Sequence, residues 1–199
     1  MTSFPIDAEK WQQGIRLNDY LASMQTYQAD MQRRIGEVQL LPAEMERFAR
    51  FPRQVKITAL SEDWCIDCLM TLPVMALIAA ATPGMELRIF SRSKWPALKE
   101  YYNRRGIMAI PVYSFLNENF EEVGTFIERP QLAYQKMGEW KAAHPEIEEL
   151  RRSASLSSEE KSNQLAKIRL GLQAEMEGWY REGCQSGIVA EVAGILGML

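Results

Sequence analysis

Apolar residues along this chain change their spacing twice. In the first stretch Leu17, Tyr20, Leu21, Met24 and Tyr27 recur three and four positions apart, which puts them on one face of a helix. Trp11 and Ile15 form a further pair just upstream. Pro42 predicts the start of another helix, with Met45, Phe48 and Phe51 on its apolar side. Such stripes usually exist to be buried, so residues 1–50 are expected to form an N-terminal helical part.

From residue 51 the period shortens. Val55 to Leu60 is a β-prone run. A helix is predicted from Cys65 to Ala81, ended by Thr82-Pro83-Gly84. Glu86 to Ser91 reads as a second strand, and Pro96 to Arg105 as a helix stopped by Gly106. Pro111 to Leu116 and Glu121 to Ile127 are two more strands. Asn117-Glu118-Asn119 joins them as a tight hairpin, because asparagine tolerates positive φ. The order β-α-β-α-β-β predicts an α/β core over residues 51–127, its first two strands parallel and its last two antiparallel. Residues 128–199 turn helical again. Ser157 and Glu160 make a capping box for a long helix reaching Arg181, with Gly183 as its stop. Ile188 to Leu196 forms a short apolar helix, and Arg151 to Ser155 reads as a surface connection. The whole chain, 1–199, is expected to be one domain with helical parts flanking the core.

Composition narrows the function classes. Hydrophobic residues make up 47% of the 199 and charged residues 25%, values of an ordinary globular protein rather than a disordered one. A net charge of -3 supplies no field that would draw in nucleic acid or an anionic membrane. The apolar stretch Gly187 to Leu199 is too short to span a bilayer and contains Glu191. The first residues show neither a basic nor an apolar leader segment, so the expected compartment is the cytoplasm, where thiols stay reduced. Three cysteines are too few for a disulfide-stapled scaffold, and a single histidine, His144, leaves little room for imidazole chemistry.

Trp64-Cys65-Ile66-Asp67-Cys68 follows the first strand and opens the first helix of the core. Cysteines three apart on a helix share a face, close enough to form a disulfide after small rotations. Cys65 falls at the helix start, where unpaired N–H groups and the helix dipole stabilise a thiolate. Cys68 lies one turn deeper and can attack a mixed disulfide formed on Cys65. As a structural staple the pair would close a very short loop, worth about 2 kcal/mol at most. As a zinc site, Cys65, Cys68, Cys184 and His144 would supply three cysteines and a histidine, but Cys184 and His144 lack ligand spacing. The spacing points to thiol–disulfide exchange, with zinc binding as another reading.

The motif resembles the W-C-G-P-C of thioredoxins, and the resemblance continues beyond it. Pro73 stands where thioredoxins place a helix-kinking proline. Gly106-Ile107-Met108-Ala109-Ile110-Pro111 is similar to their segment ending in Ile-Pro-Thr, and Val112 to Phe115, Asn117 to Asn119 and Val123-Gly124 to the hairpin after it. These matches cover residues 51–127. The W-C-x-D-C form and the flanking helices resemble a group of bacterial thioredoxin-like proteins. The resemblance implies a thioredoxin-like α/β fold, a central mixed sheet flanked by helices, with helical extensions at both ends. It also implies a thiol–disulfide oxidoreductase without a cofactor, using Cys65 and Cys68. Its Ile110–Pro111 bond is implied to be cis and to face the cysteine pair. The implied substrate surface is Trp64, Ile66, Asp67, Ile110 and Pro111, with the Ile110 backbone offered to an extended peptide. The partners would be a disulfide-containing protein or low-molecular-weight thiol, and an external reductase or thiol as electron donor.

Two departures from thioredoxins bear on the chemistry. Ala59 occupies the place of a buried aspartate that assists proton transfer at the resolving cysteine, which leaves Asp67, Asp63 or a water as the relay. Glu62, Asp63 and Asp67 crowd the motif with negative charge, and it contains no lysine or histidine. That charge disfavours a Cys65 thiolate and predicts a reducing poise. A thioredoxin-fold binding module, with cysteines that turn over slowly, is the competing class.

Overall fold

The computed structural model describes residues 3–198. Four helices precede the first strand: α1 (Ala8–Gln13), α2 (Leu17–Ser23), α3 (Gln28–Glu37) and α4 (Pro42–Ala49). The stripe from Leu17 to Tyr27 is therefore not one helix. α2 stops at Ser23, and Tyr27 turns the chain with φ 56 before α3 begins. Polar side chains satisfy the carbonyls at that break: Gln28 Nε2 donates to Leu21 O at 2.7 Å and Ser23 Oγ to Tyr20 O at 2.8 Å. Ile15 also leaves the helical part. It exchanges two backbone hydrogen bonds of 2.8 Å with Ile89, adding a one-residue bridge to a sheet edge.

The core follows the predicted order closely: β1 (Val55–Ser61), α5 (Ile66–Ala81), β2 (Met85–Ser91), α6 (Pro96–Asn103), β3 (Val112–Leu116) and β4 (Glu122–Ile127). The sheet order is β2-β1-β3-β4, with β1 and β2 parallel and the other pairs antiparallel. This is the thioredoxin-like arrangement, a mixed sheet flanked by helices, with further helices at both ends. β1 and β3 are central and almost wholly buried, as their apolar runs require. Gly106, at φ 76, lies beyond the end of α6, a conformation glycine adopts without steric cost.

α5 carries the cysteine motif and is apolar nearly all round, the mark of a helix buried on several sides. Pro73 sits inside it and cannot donate to the carbonyl one turn back, that of Leu69. The buried guanidinium of Arg34 on α3 takes that carbonyl, with Nε at 3.1 Å. The N-terminal helices thus complete the hydrogen bonding of the motif helix.

The chain divides into two compact units, Met1–Arg129 with Ile188–Leu199, and Pro130–Gly187. The second unit contains α7 (Gln131–Ala143), α8 (Glu146–Arg152), α9 (Ser158–Trp179) and the π-helical turn Tyr180–Cys184. The Ser157–Glu160 capping box forms as expected. Arg151 and Arg152 close α8 instead of lying in a connection. With Glu146, Glu148 and Glu149 in its first turn, that helix matches its charges to its dipole at both ends. Gly183, at φ 152, does not end the helical run. The chain kinks there and continues into α10 (Gln185–Ile195), earlier than Ile188. In the first unit, a Cβ at Gly124 on β4 would come within 2.5 Å of Ile195 Cγ2, so the end of α10 packs directly on the sheet edge.

Candidate active site

Cys65 is the N-cap residue of α5. Its sulfur accepts the Cys68 N–H at 3.4 Å and donates to the Ile110 carbonyl at 3.4 Å. Cys65 is 8% exposed and Cys68 fully buried, and all three cysteines are free thiols. Burial pushes the Cys68 thiol well above the usual cysteine range, and the Cys65 sulfur adds to the shift. The polar groups of Ser61 and of the Glu62 backbone pull the other way.

The Ile110–Pro111 bond is cis and lies beside Cys65 through the Ile110 carbonyl. Pro111 is buried, and its own carbonyl accepts the Glu128 N–H at 2.7 Å. Trp64 is 54% exposed, a large apolar surface next to the cysteines. Ile66 and Asp67 are half-buried. Cys65, Cys68 and Ile110 thus share one cluster, near the C-terminal end of β1 and the start of β3, with Trp64, Ile66, Asp67 and Pro111 as their chain neighbours.

The carboxylates behave differently from the sequence expectation. Asp67 Oδ2 pairs with Arg129 Nη2 at 2.6 Å, the two side chains being 13% and 9% exposed. Arg129 also holds Glu128 at 2.6 Å. Asp63 Oδ2 accepts the backbone N–H groups of Gln25 and Thr26 at 2.7 and 3.1 Å. Glu62 Oε1 accepts the Ser93 N–H at 2.6 Å. The motif itself holds no cation, as expected, but Arg129 from outside it pairs with Asp67, so the charge argument against a Cys65 thiolate loses one of its three carboxylates.

Sequence reasoning missed Arg129, Ser61 and the phenol of Tyr20. Arg129 lies 62 positions from its partner, and only an arginine following the hairpin strand hinted at it. Tyr20 reads as a core residue, and it is one, but its hydroxyl lies 3.4 Å from Ser61 Oγ. Among the described residues no three His, Cys, Asp or Glu side chains converge on a point that could hold a metal ion. Of the zinc reading's four residues, Cys65 and Cys68 lie in the first compact unit and His144 and Cys184 in the second.

The sequence profile of thioredoxin matches residues 14–144. The chain belongs to the thioredoxin family. Membership reaches upstream of residue 51, so α2, α3 and α4 lie within the matched thioredoxin region. Among solved structures, a protein of unknown function from Pseudomonas aeruginosa is similar over 98% of this chain and 99% of its own, at 24% identity and a TM-score of 0.65. An HIV epitope-scaffold is similar over 94% of this chain and 97% of its own, at 21% identity and a TM-score of 0.61. Both likenesses concern the fold. No curated protein matches the chain. Among the described residues no helix is long and apolar enough to cross a membrane.

Proposed function

We propose that this thioredoxin-family protein is a thiol–disulfide oxidoreductase that reduces protein or small-molecule disulfides. The observation that carries the reading is the placement of Cys65 at the start of α5, its sulfur held by the Cys68 N–H, with Cys68 buried one turn behind it. The Cys65 thiolate attacks one sulfur of the substrate disulfide. That S–S bond breaks, and the electron pair leaves on the other sulfur, which takes up a proton. Cys68 then loses its proton and attacks Cys65, expelling the second substrate thiol and leaving a Cys65–Cys68 disulfide. An external reductase or a low-molecular-weight thiol returns the two electrons, in a reducing compartment such as the cytoplasm.

The division of roles follows from burial. Cys65 keeps a small exposed edge, whereas Cys68 is fully enclosed. In the resting dithiol the Cys65 S–H occupies the Ile110 carbonyl. Once Cys65 is bonded to a substrate sulfur it has no proton to donate, and that carbonyl is free to accept an N–H from an extended substrate. Trp64, Ile66, Asp67 and Pro111 then border the bound segment.

Trapping tests the reading. Cys68→Ser should stall a covalent mixed disulfide on Cys65, recovered by non-reducing electrophoresis and mapped by mass spectrometry. Cys65→Ser should trap nothing. Equal trapping by both variants, or adducts on Cys184, would refute the assignment.

A further inference from the structure

Two consecutive residues after β4 reach the two sides of the cysteine site. Glu128 stands opposite Pro111, one place beyond the Val112–Ile127 pair of the sheet. Proline has no N–H, so this place keeps one ladder bond, from the Glu128 N–H to the Pro111 carbonyl at 2.7 Å. Arg129 reaches the other side. Its Nη2 pairs at 2.6 Å with Oδ2 of Asp67, which lies between Cys65 and Cys68 in the first turn of α5, and it holds Glu128 Oε1 at 2.6 Å as well. The backbone bends sharply here. Glu128 has φ 59, a left-handed conformation that is costly for a residue with a Cβ, and the Arg129 N–H closes on the Ile127 carbonyl at 2.7 Å. Residues 127–129 thus form a tight turn whose backbone grips the Ile110–Pro111 segment and whose guanidinium grips the motif helix.

The sulfur of Cys65 closes the other end of the circuit, donating to the Ile110 carbonyl at 3.4 Å. Motif and facing segment are therefore joined twice, through Cys65 and through Arg129. The first link contains the reacting atom and is lost once Cys65 is bonded to a substrate sulfur, because no S–H remains. The second contains no reacting atom and persists through the exchange. The sheet pairs Leu60 with Val112, but the motif and Ile110 lie beyond that pair. An extended peptide spans the gap, with its sulfur on Cys65 and its N–H on the Ile110 carbonyl, so its binding depends on the spacing of the two. A small disulfide engages the Cys65 sulfur alone. We propose that Arg129, aimed by the turn at Glu128, is a positioning residue that fixes the motif helix against the Ile110–Pro111 segment during exchange, and so makes the site select disulfides carried on extended peptides over small ones.

The inference rests on the exchange reading, and the test separates the two. Two disulfides with the same leaving group are mixed with the reduced full-length protein: Ellman's reagent, and an extended peptide whose single cysteine is a mixed disulfide with thionitrobenzoate. Attack by the Cys65 thiolate on the peptide sulfur breaks the S–S bond and releases thionitrobenzoate. Cys68 then expels the peptide thiol and leaves the Cys65–Cys68 disulfide. The ratio of the peptide rate to the Ellman's rate cancels any change in Cys65 reactivity, so it reads positioning. In Arg129→Met that ratio should fall by about five- to tenfold, and the peptide concentration for half-maximal rate should rise by about the same factor. Combining Asp67→Asn with Arg129→Met restores the charge balance but not the tie, so the Ellman's rate should recover while the ratio stays low. Amide hydrogen exchange at Ile57 and Ala59 of β1 should stay at the wild-type rate, which shows that the sheet is intact. Should Arg129→Met not fold, the double variant, which leaves no uncompensated charge at residue 67, carries the comparison. A wild-type ratio in Arg129→Met, or a ratio that recovers together with the charge in the double variant, overturns the positioning role. A wild type that releases thionitrobenzoate yet never forms the Cys65–Cys68 disulfide overturns the exchange reading as well.

Discussion

Arg129 is the residue that most changes the reading of the motif. Asp67 sits in the first turn of α5, where its charge would oppose a thiolate at Cys65, and the guanidinium neutralises it. Arg129→Met should leave that charge uncompensated and slow alkylation of Cys65 at neutral pH by about three- to tenfold. It should also cost about 2–3 kcal/mol of stability, somewhat less than a fully buried pair, since both side chains keep some contact with water. Adding Asp67→Asn to Arg129→Met should recover most of the reactivity. Alkylation at limiting reagent, mapped by mass spectrometry, gives both rates, and an unchanged rate in Arg129→Met would show that Asp67 does not act on Cys65. At this scale the sequence revealed what is local. Cys65, Cys68 and Trp64 were legible because a turn of helix fixes their relations, and the Ile110–Pro111 segment because it resembles a known pattern. Arg129, Ser61 and Tyr20 were not, because a pairing across many tens of residues leaves no periodicity.

Elements were legible where their period was long or their ends were marked. The core strands and α5 fell within a residue or two of expectation, helped by end signals such as Pro83-Gly84, Pro111 and Asn117. The N-terminal helices were harder. Three- and four-residue spacing continues across a break, so the stripe through Tyr27 could not reveal that α2 ends at Ser23. Packing of α3 against α5 through Arg34 is likewise invisible to periodicity, although Pro73 implied that the Leu69 carbonyl needed another donor. Arg34→Met should orphan that carbonyl and cost about 1–3 kcal/mol in urea denaturation. Adding Pro73→Ala supplies the missing N–H, so the double variant should lose less than the sum of the single losses. Strict additivity would mean that the two residues do not share the Leu69 carbonyl.

At the scale of the whole molecule, the thioredoxin fold places a dithiol at the end of β1, faces it with the Ile110–Pro111 segment, and adds helices that contribute Arg34 and Tyr20 around α5. Cys184, on the π-helical turn of the second unit, is buried, and burial pushes its thiol up to about 11, so it stays protonated and unreactive near neutrality. The proposed exchange is therefore assigned to one pair of sulfurs. The most direct measurement of that claim is equilibration of the full-length protein with glutathione buffers of stepped ratio, followed by acid quench and mass-spectrometric mapping of all three cysteines. The account predicts a reversible Cys65–Cys68 disulfide whose population follows a two-electron transition, with Cys184 free throughout. A protein that forms no Cys65–Cys68 bond at any ratio, or that links Cys184 instead, would contradict it.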